Sequence, residues 1–313
     1  METPKPKPRL IFILGPTGIG KTSTAVKLAA PRGGEIISAD SMQVYRHMDI
    51  GAAKPTPEER SAVRHHLIDC VEPHEPFNAS LFIEKARIII DNLQAAGKPI
   101  FIVGGTGLYV KALLGGLFDG PAANADIRSY YKEALKRHGK AYLYDLLKSK
   151  DPKAAAATNP GDASRMIRAL EVMDLSGESI VDRRESHGFQ DRRYEALKLG
   201  LSIDRDELYR RISERTDQMI AKGFIEEVRK LIAMGYNETQ KPMRSLGYKH
   251  ISNYLTGQYD LDEAVRLMKR DTRNYAKRQL TWFMADRDIE WVPYRDLDAM
   301  EKKIDAFIDG RGE

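Results

Sequence analysis

The stretch GPTGIGKT, Gly15–Thr22, follows the apolar run LIFIL and precedes STAVKLAA. A G-x-x-x-x-G-K-T spacing between a strand and a helix is that of a phosphate-binding P-loop. Gly15, Gly18 and Gly20 let the backbone turn its N–H groups inward, with Pro16, Thr17 and Ile19 filling the intervening positions. Lys21 adds a point charge, and the Thr22 hydroxyl can ligate Mg2+. The helix that opens near Lys21 contributes its positive end. Arg9–Leu14 reads as a buried parallel strand and Thr22–Ala30 as that helix. A glycine turn that bound nothing would have no use for Lys-Thr after its last glycine. The motif specifies a polyphosphate and a metal without specifying ATP.

Outward from the loop, strand and helix alternate. EIIS (35–38), a helix over LFIEKARIIIDNLQAAG that stops at Gly97, and KPIFIVGG (98–105) continue a βαβ series. The expected fold is α/β: a P-loop NTPase-like core with a parallel sheet flanked by helices, plus a helical insertion domain. Ligands of such a sheet gather at the carboxyl ends of its strands. From about Gly120 the texture turns helical, with breaks at Asp151-Pro152 and Asn159-Pro160-Gly161. The expected limits are 1–120 for the first part of the core, 121–193 for the insertion and 194–313 for the rest. That last part holds a strand at Ala196–Ile203, helices at Arg205–Met219, Gly223–Met234 and about Leu261–Ala285, and a final strand in IEWVPY.

A chain of 313 residues with 42% hydrophobic content can bury one large core and a smaller satellite. No run approaches the ~18 apolar residues that would span a membrane. METPKPKPR reads as a polar tail rather than a signal peptide. The one cysteine, Cys70, excludes an internal disulfide and a Cys-based zinc finger, and suits a reducing cytoplasm. No heptad or exposed apolar stripe argues for a dimer, so a monomer is expected. The net charge of +5 and pI near 9.0 make a polyanionic partner plausible. Between Arg244 and Arg287 nine Lys/Arg face five acids, and Arg266, Arg270, Arg273 and Lys277 share one face of the long helix.

Asp40 stands at the end of EIIS, eighteen residues beyond Thr22, within reach of whatever the loop holds. Its carboxylate has three readings: metal ligand, partner of a second substrate, or cap of the turn DSMQ. His65 and His66 lack a third ligand at metal spacing and read as structural. VGGTG (103–107) places a second glycine turn at the same sheet edge, with Thr106 offering a hydroxyl. Arg165 and Arg168 lie three apart on one helix, suited to phosphates or a nucleic-acid backbone, and Arg211 and Arg215, four apart, share one helical face from which one could reach a pyrophosphate. Trp282 and Phe283 are residue types that stack on bases, although packing is the commoner use.

Together these motifs resemble one family, the tRNA dimethylallyltransferases, also called tRNA isopentenyltransferases. The resemblance runs in order through GPTGIGKT, SADSMQVYRHMDIGAAKP, HHLID, VGGTGLYVKALL, RMIRALEV, GFIEEV, RSLGYK and AKRQLTW, over nearly the whole chain. Gly18-Ile19 and Ala52 depart from the usual pattern, and the zinc finger of eukaryotic relatives is absent, which points to the bacterial form. The resemblance implies transfer of a dimethylallyl group from dimethylallyl diphosphate to N6 of the adenosine 3′-adjacent to the anticodon. It implies that the P-loop binds the diphosphate with Mg2+ on Thr22, that Arg215 or else Arg211 assists its departure, and that Asp40 accepts the N6 proton. It further implies that the anticodon stem-loop of tRNA touches Asp40, Ser41, Met42, Gln43, Thr106, Arg128, Ser164, Arg165, Met166, Ile167, Arg168, Arg244, Ser245, Leu246, Gly247, Tyr248 and Lys249. The rivals are an ATP-dependent small-molecule kinase whose lid is the insertion, and a nucleic-acid-binding ATPase. A lid would leave the basic C-terminal helix unexplained.

Overall fold

A computed structural model of the chain describes residues 6–117, 120–188 and 191–310. Six strands, β1 (Arg9–Leu14), β2 (Glu35–Ser38), β3 (His65–His66), β4 (Ile100–Gly104), β5 (Glu195–Ser202) and β6 (Ile289–Pro293), form one parallel sheet in the order β3-β2-β4-β1-β5-β6. Parallel sheets are covered on both faces, so their central strands read as unbroken apolar runs. Leu10–Leu14 and Ile100–Gly104 are buried throughout and pair in register, Leu10 with Ile100 and Leu14 with Gly104.

The helices are α1 (Lys21–Ala29), α2 (Pro57–Ala62), α3 (Ala79–Ala95), α4 (Gly107–Gly115), α5 (Ala125–Lys150), α6 (Pro152–Ala156), α7 (Ala163–Ser176), α8 (Ile180–His187), α9 (Arg205–Ala221), α10 (Phe224–Ala233), α11 (Tyr248–Leu255), α12 (Leu261–Met284) and α13 (Leu297–Ile308). Side-chain caps start several of them: Asn124 for α5, Asp162 for α7, Asp204 for α9 and Asp260 for α12 each accept from a first-turn N–H. None is long and apolar enough to cross a membrane.

The chain divides into two compact units, Met1–Leu113 with Arg193–Glu313, and Leu114–Arg192. The first holds the sheet, with a core that includes Ile11, Ile13, Leu28, Phe101, Leu199 and Ile212. The second has its own core, built on Tyr131, Leu143, Leu147, Met166, Leu170 and Ile180. Helices break at Asp151, which caps α6, and at the turn before α7. Helices α2, α4, α11 and α13 escape the sequence reading, as do two finer features. β3 is only two residues long and has no periodicity to detect, and α5 kinks at Gly139, where φ is 80°.

Candidate active site

The P-loop leaves the carboxyl end of β1 in a conformation that its glycines permit. Gly20 caps α1 at φ 100°, and Gly18, at φ 86°, has no room for a side chain, since a Cβ there would fall 2.9 Å from Ile212. Lys21 Nζ donates to the Pro16 carbonyl at 2.9 Å. Gln279 of α12 braces the loop: its Oε1 accepts from Thr17 N at 2.8 Å, and its Nε2 donates to the Gly105 carbonyl at 2.9 Å. One buried amide thus joins the two glycine turns.

Beneath the loop lies a cavity of about 230 Å³ lined by Thr17, Lys21, Thr22, Asp40, Arg215, Tyr275 and Gln279, among others. β4 separates β2 from β1, so Asp40 reaches the P-loop across an intervening strand. The glycine at the end of β4 allows this: a Cβ on Gly104 would sit 2.2 Å from the Ala39 carbonyl. Thr106 secures the same corner, its Oγ accepting from Ser41 N at 3.2 Å.

Asp40 Oδ1 accepts from Met42 N at 2.8 Å and Gln43 N at 3.3 Å, so the turn-capping reading is correct for that oxygen. Gln43 is buried, accepting from the Ser38 hydroxyl and donating to the Ala53 carbonyl. Burial depresses the Lys21 ammonium to about 8, Asp40 pulling it up and Arg215 pushing it down. Burial likewise lowers Arg215, against the pull of Asp40. Tyr275 is raised to about 12 by burial and by Asp40. Two cations and a carboxylate therefore converge in a desolvated site, where fields on a ligand are strong.

Of Arg211 and Arg215 on α9, Arg215 lines this cavity. Arg211 instead donates from Nε to the Gly18 carbonyl at 3.1 Å and lies 4.6 Å over the Tyr294 ring. His65 Nδ1 is 2.8 Å from the Val63 carbonyl and His66 Nε2 is 2.6 Å from Glu35, which gives the pair a structural part. Burial raises the Cys70 thiol, away from thiolate character.

Other expected contact residues lie outside the cavity. In the insertion, Arg128 donates to both oxygens of the fully buried Glu171, at 2.8 and 2.9 Å, and Arg168 reaches the same carboxylate at 2.6 Å. Ser164 is exposed, and Arg165, also exposed, pairs with Asp162 at 3.2 Å. Met166 and Ile167 are core side chains. Near α11, Arg244 is exposed, Leu246 is half-buried, Ser245 Oγ donates to the Pro242 carbonyl and Lys249 pairs with Asp271 at 3.0 Å. Gly247 is buried at φ 85°, and Tyr248 is interior, donating to Glu227 Oε1 at 2.7 Å.

The α12 stripe is partly engaged within the chain. Arg266 pairs with Glu263 and Arg270 with Asp271, while Arg273 donates to Ser213 Oγ and lies 5.7 Å from the Tyr209 ring, so it serves the α9 contact. Phe283 is buried, which removes it as a stacking group. Trp282 packs on Gly107, where a Cβ would meet the indole at 2.1 Å, yet it stays 43% exposed. Sequence reasoning quoted the strings that hold Gln279, Glu227 and Glu171 but attached no role to these residues, because a single polar residue in a helix carries no local signal.

The family described as IPP transferase matches residues 43–286, and that described as isopentenyl transferase matches residues 8–73. The tRNA dimethylallyltransferase 2 of Syntrophus aciditrophicus is 58% identical, over 97% of this chain and 98% of its own. Among solved structures, the full-length tRNA isopentenylpyrophosphate transferase of Bacillus halodurans aligns with a TM-score of 0.72 at 39% identity, over 97% of this chain and 98% of its own. A eukaryotic dimethylallyltransferase described as acting on tRNA aligns with a TM-score of 0.79 at 27% identity, over 97% of this chain and 80% of its own.

Proposed function

The chain belongs to the IPP transferase family and is a tRNA dimethylallyltransferase, and from that premise we propose how its cavity performs the transfer. The carrying observation is the convergence of Lys21, Thr22, Asp40 and Arg215 on one cavity under a P-loop. The P-loop N–H groups and Lys21 hold the diphosphate of dimethylallyl diphosphate, and Arg215 neutralises charge as the C–O bond to the allylic carbon breaks. Adenosine N6 is a weak nucleophile because its lone pair is delocalised into the ring. Asp40 accepts a hydrogen bond from N6 and takes its proton as the N–C bond forms. The acceptor is the adenosine 3′-adjacent to the anticodon, flipped out of its stack to reach the cavity.

The donor set fits Mg2+. The described residues contain no cluster of three or more His, Cys, Asp or Glu able to hold a metal, but the Thr22 hydroxyl lines the cavity. One protein oxygen plus phosphate oxygens and waters is how Mg2+ is commonly bound. Thr22 would hold the ion, which would supply charge neutralisation to the leaving diphosphate.

The polyanion contacts fall to exposed or half-exposed groups, Thr106, Ser164, Arg165, Arg244 and Lys249, while Arg128 and Arg168 are held on Glu171. The protein works as a monomer in the cytoplasm, where tRNA and the prenyl donor are found. Incubation with labelled dimethylallyl diphosphate, Mg2+ and unmodified tRNA should place label in tRNA, and AMP should remain unlabelled. Steady ATP hydrolysis without label transfer would overturn the reading.

A further inference from the structure

The segment 47–55 walls the cavity through Ala52, Ala53 and Pro55, yet it has little regular structure of its own. Its backbone is partly left-handed at non-glycine residues, with φ 65° at His47 and 48° at Ala53. Such conformations persist only when surrounding structure imposes them. Two internal bonds, Ala53 N to the Ile50 carbonyl and Lys54 N to the Asp49 carbonyl, fold 49–54 into one tight turn. That turn leaves the N–H groups of Asp49, Ile50 and Gly51 without partners inside the segment.

All three donate to one carboxylate, that of Glu227 in the first turn of α10. Asp49 N and Ile50 N lie 2.9 and 2.7 Å from Oε2, and Gly51 N lies 3.1 Å from Oε1. Oε1 also accepts from the Tyr248 hydroxyl at 2.7 Å. Successive backbone N–H groups make an anion-binding nest, and here the chain supplies its own anion. The approach is close: a Cβ on Gly51 would fall 2.3 Å from the Phe224 ring and 2.6 Å from Tyr248. From the other side Lys54 binds Asp49, Asp69 and the Tyr45 carbonyl.

We propose that Glu227 is a positioning residue of the reaction: it fixes the Ala52–Ala53 wall of the donor cavity by occupying the 49–51 nest, and through Tyr248 it ties that wall to the 244–249 segment. The proposal rests on the reading of this cavity as the prenyl diphosphate site. Glu227 touches no reacting atom, so its effect falls on how the donor is held.

The test compares Glu227→Ala, Glu227→Gln, Tyr248→Phe and, as the control on the cavity itself, Lys21→Ala, with donor KM, kcat, tRNA affinity and thermal midpoint measured for each. Charge-assisted bonds to three amides are lost in Glu227→Ala, so donor KM should rise about 10-fold or more while kcat and tRNA affinity change less than about 3-fold. Glu227→Gln should fall between this and the parent, because its single carbonyl oxygen cannot serve three donors; Tyr248→Phe should raise donor KM by about 2-fold. Should Glu227→Ala fail to fold, Glu227→Gln and Tyr248→Phe carry the test. The proposal is overturned if donor KM stays at the parent value in the folded Glu227 variants, or if donor KM rises while kcat and tRNA affinity fall together in step with the melting midpoint. If Lys21→Ala leaves donor binding intact, the cavity reading itself fails; if Lys21→Ala abolishes it and the Glu227 variants do not disturb it, only the positioning role fails.

Discussion

Lys21, Asp40 and Arg215 line one cavity in the sheet-bearing unit, and no ion pair within 4 Å joins them, whereas in the insertion Arg128 and Arg168 converge on a single buried Glu171. Glu171 also accepts from Asn124 N at 2.7 Å, which ties it to the start of α5, and its carboxyl is held below the usual range despite its burial by bonds from Arg128, Arg168 and Asn124. Holding partly buried charges without a counter-charge is costly in general, so a fold tolerates it where a ligand completes the set. Where charges serve the scaffold, they are satisfied within the chain. The contrast separates a binding site from an internal brace, although both are built of arginines and carboxylates.

The sharpest way to break the comparison is at Asp40. Asp40→Asn keeps the turn cap but cannot take the proton, and turnover should fall by about 100-fold to 10,000-fold with tRNA affinity retained. Single-turnover label transfer measures this, and near-normal turnover would remove Asp40 from the chemistry. Glu171→Ala should instead cost the insertion about 3 kcal/mol of stability, through two arginines deprived of their shared partner. Denaturant unfolding followed by hydrogen exchange at α5 and α7 reads this out, and an unchanged midpoint would mean that the cluster braces nothing.

A middle-sized effect is expected at Gln279, which holds two backbone partners. Gln279→Ala should lower kcat/KM by about 10-fold by loosening the P-loop from the Gly105 turn. An unaltered value would show that the loop holds its shape without that bridge.

The pH dependence follows from Lys21. Its folded pKa, about 8, lies below the ordinary 10.5 because burial disfavours the ammonium. As pH rises through about 8 the free enzyme loses this charge, so donor analogue binding should weaken up to several-fold between about pH 7 and pH 9. Between the two pKa values the unfolded chain binds more protons, so the Lys21 contribution to stability of the ligand-free protein rises with pH across that window. Flat binding across that range would place Lys21 outside the anion's field. The smallest effect belongs to Arg165, exposed and paired only with Asp162. Arg165→Ala should change stability by under about 1 kcal/mol and reduce the salt slope of tRNA binding by about one, which titrations at several salt concentrations would reveal.

The P-loop, the strands that flank it and the limits of α1, α3, α9, α10 and α12 were legible in the sequence because their signals are local. Glycine spacing, apolar runs and Asx caps act within a few residues, and Arg9–Leu14 and Glu35–Ser38 match the expected bounds. β3 was not legible, since His65 and His66 form a strand only by pairing with Ile36 and Ile37. Nor was the fate of individual cations. Arg211 and Arg215 are equivalent by spacing, yet one lies against Tyr294 and the other enters the cavity. Arg273 shares a helical face with Arg266 and Arg270 but is turned onto Ser213.

By itself, then, the sequence determined a parallel-sheet core with a phosphate loop and the order of motifs that marks the family. The tertiary structure decided which charges remain available, that Asp40 reaches the loop across β4, and that Glu227, far along the chain, sets the wall formed by residues 52 and 53. Local backbone propensity is set by neighbours in sequence, whereas burial and pairing depend on partners brought from afar, 60 residues for Arg273 and Ser213 and 176 for Gly51 and Glu227.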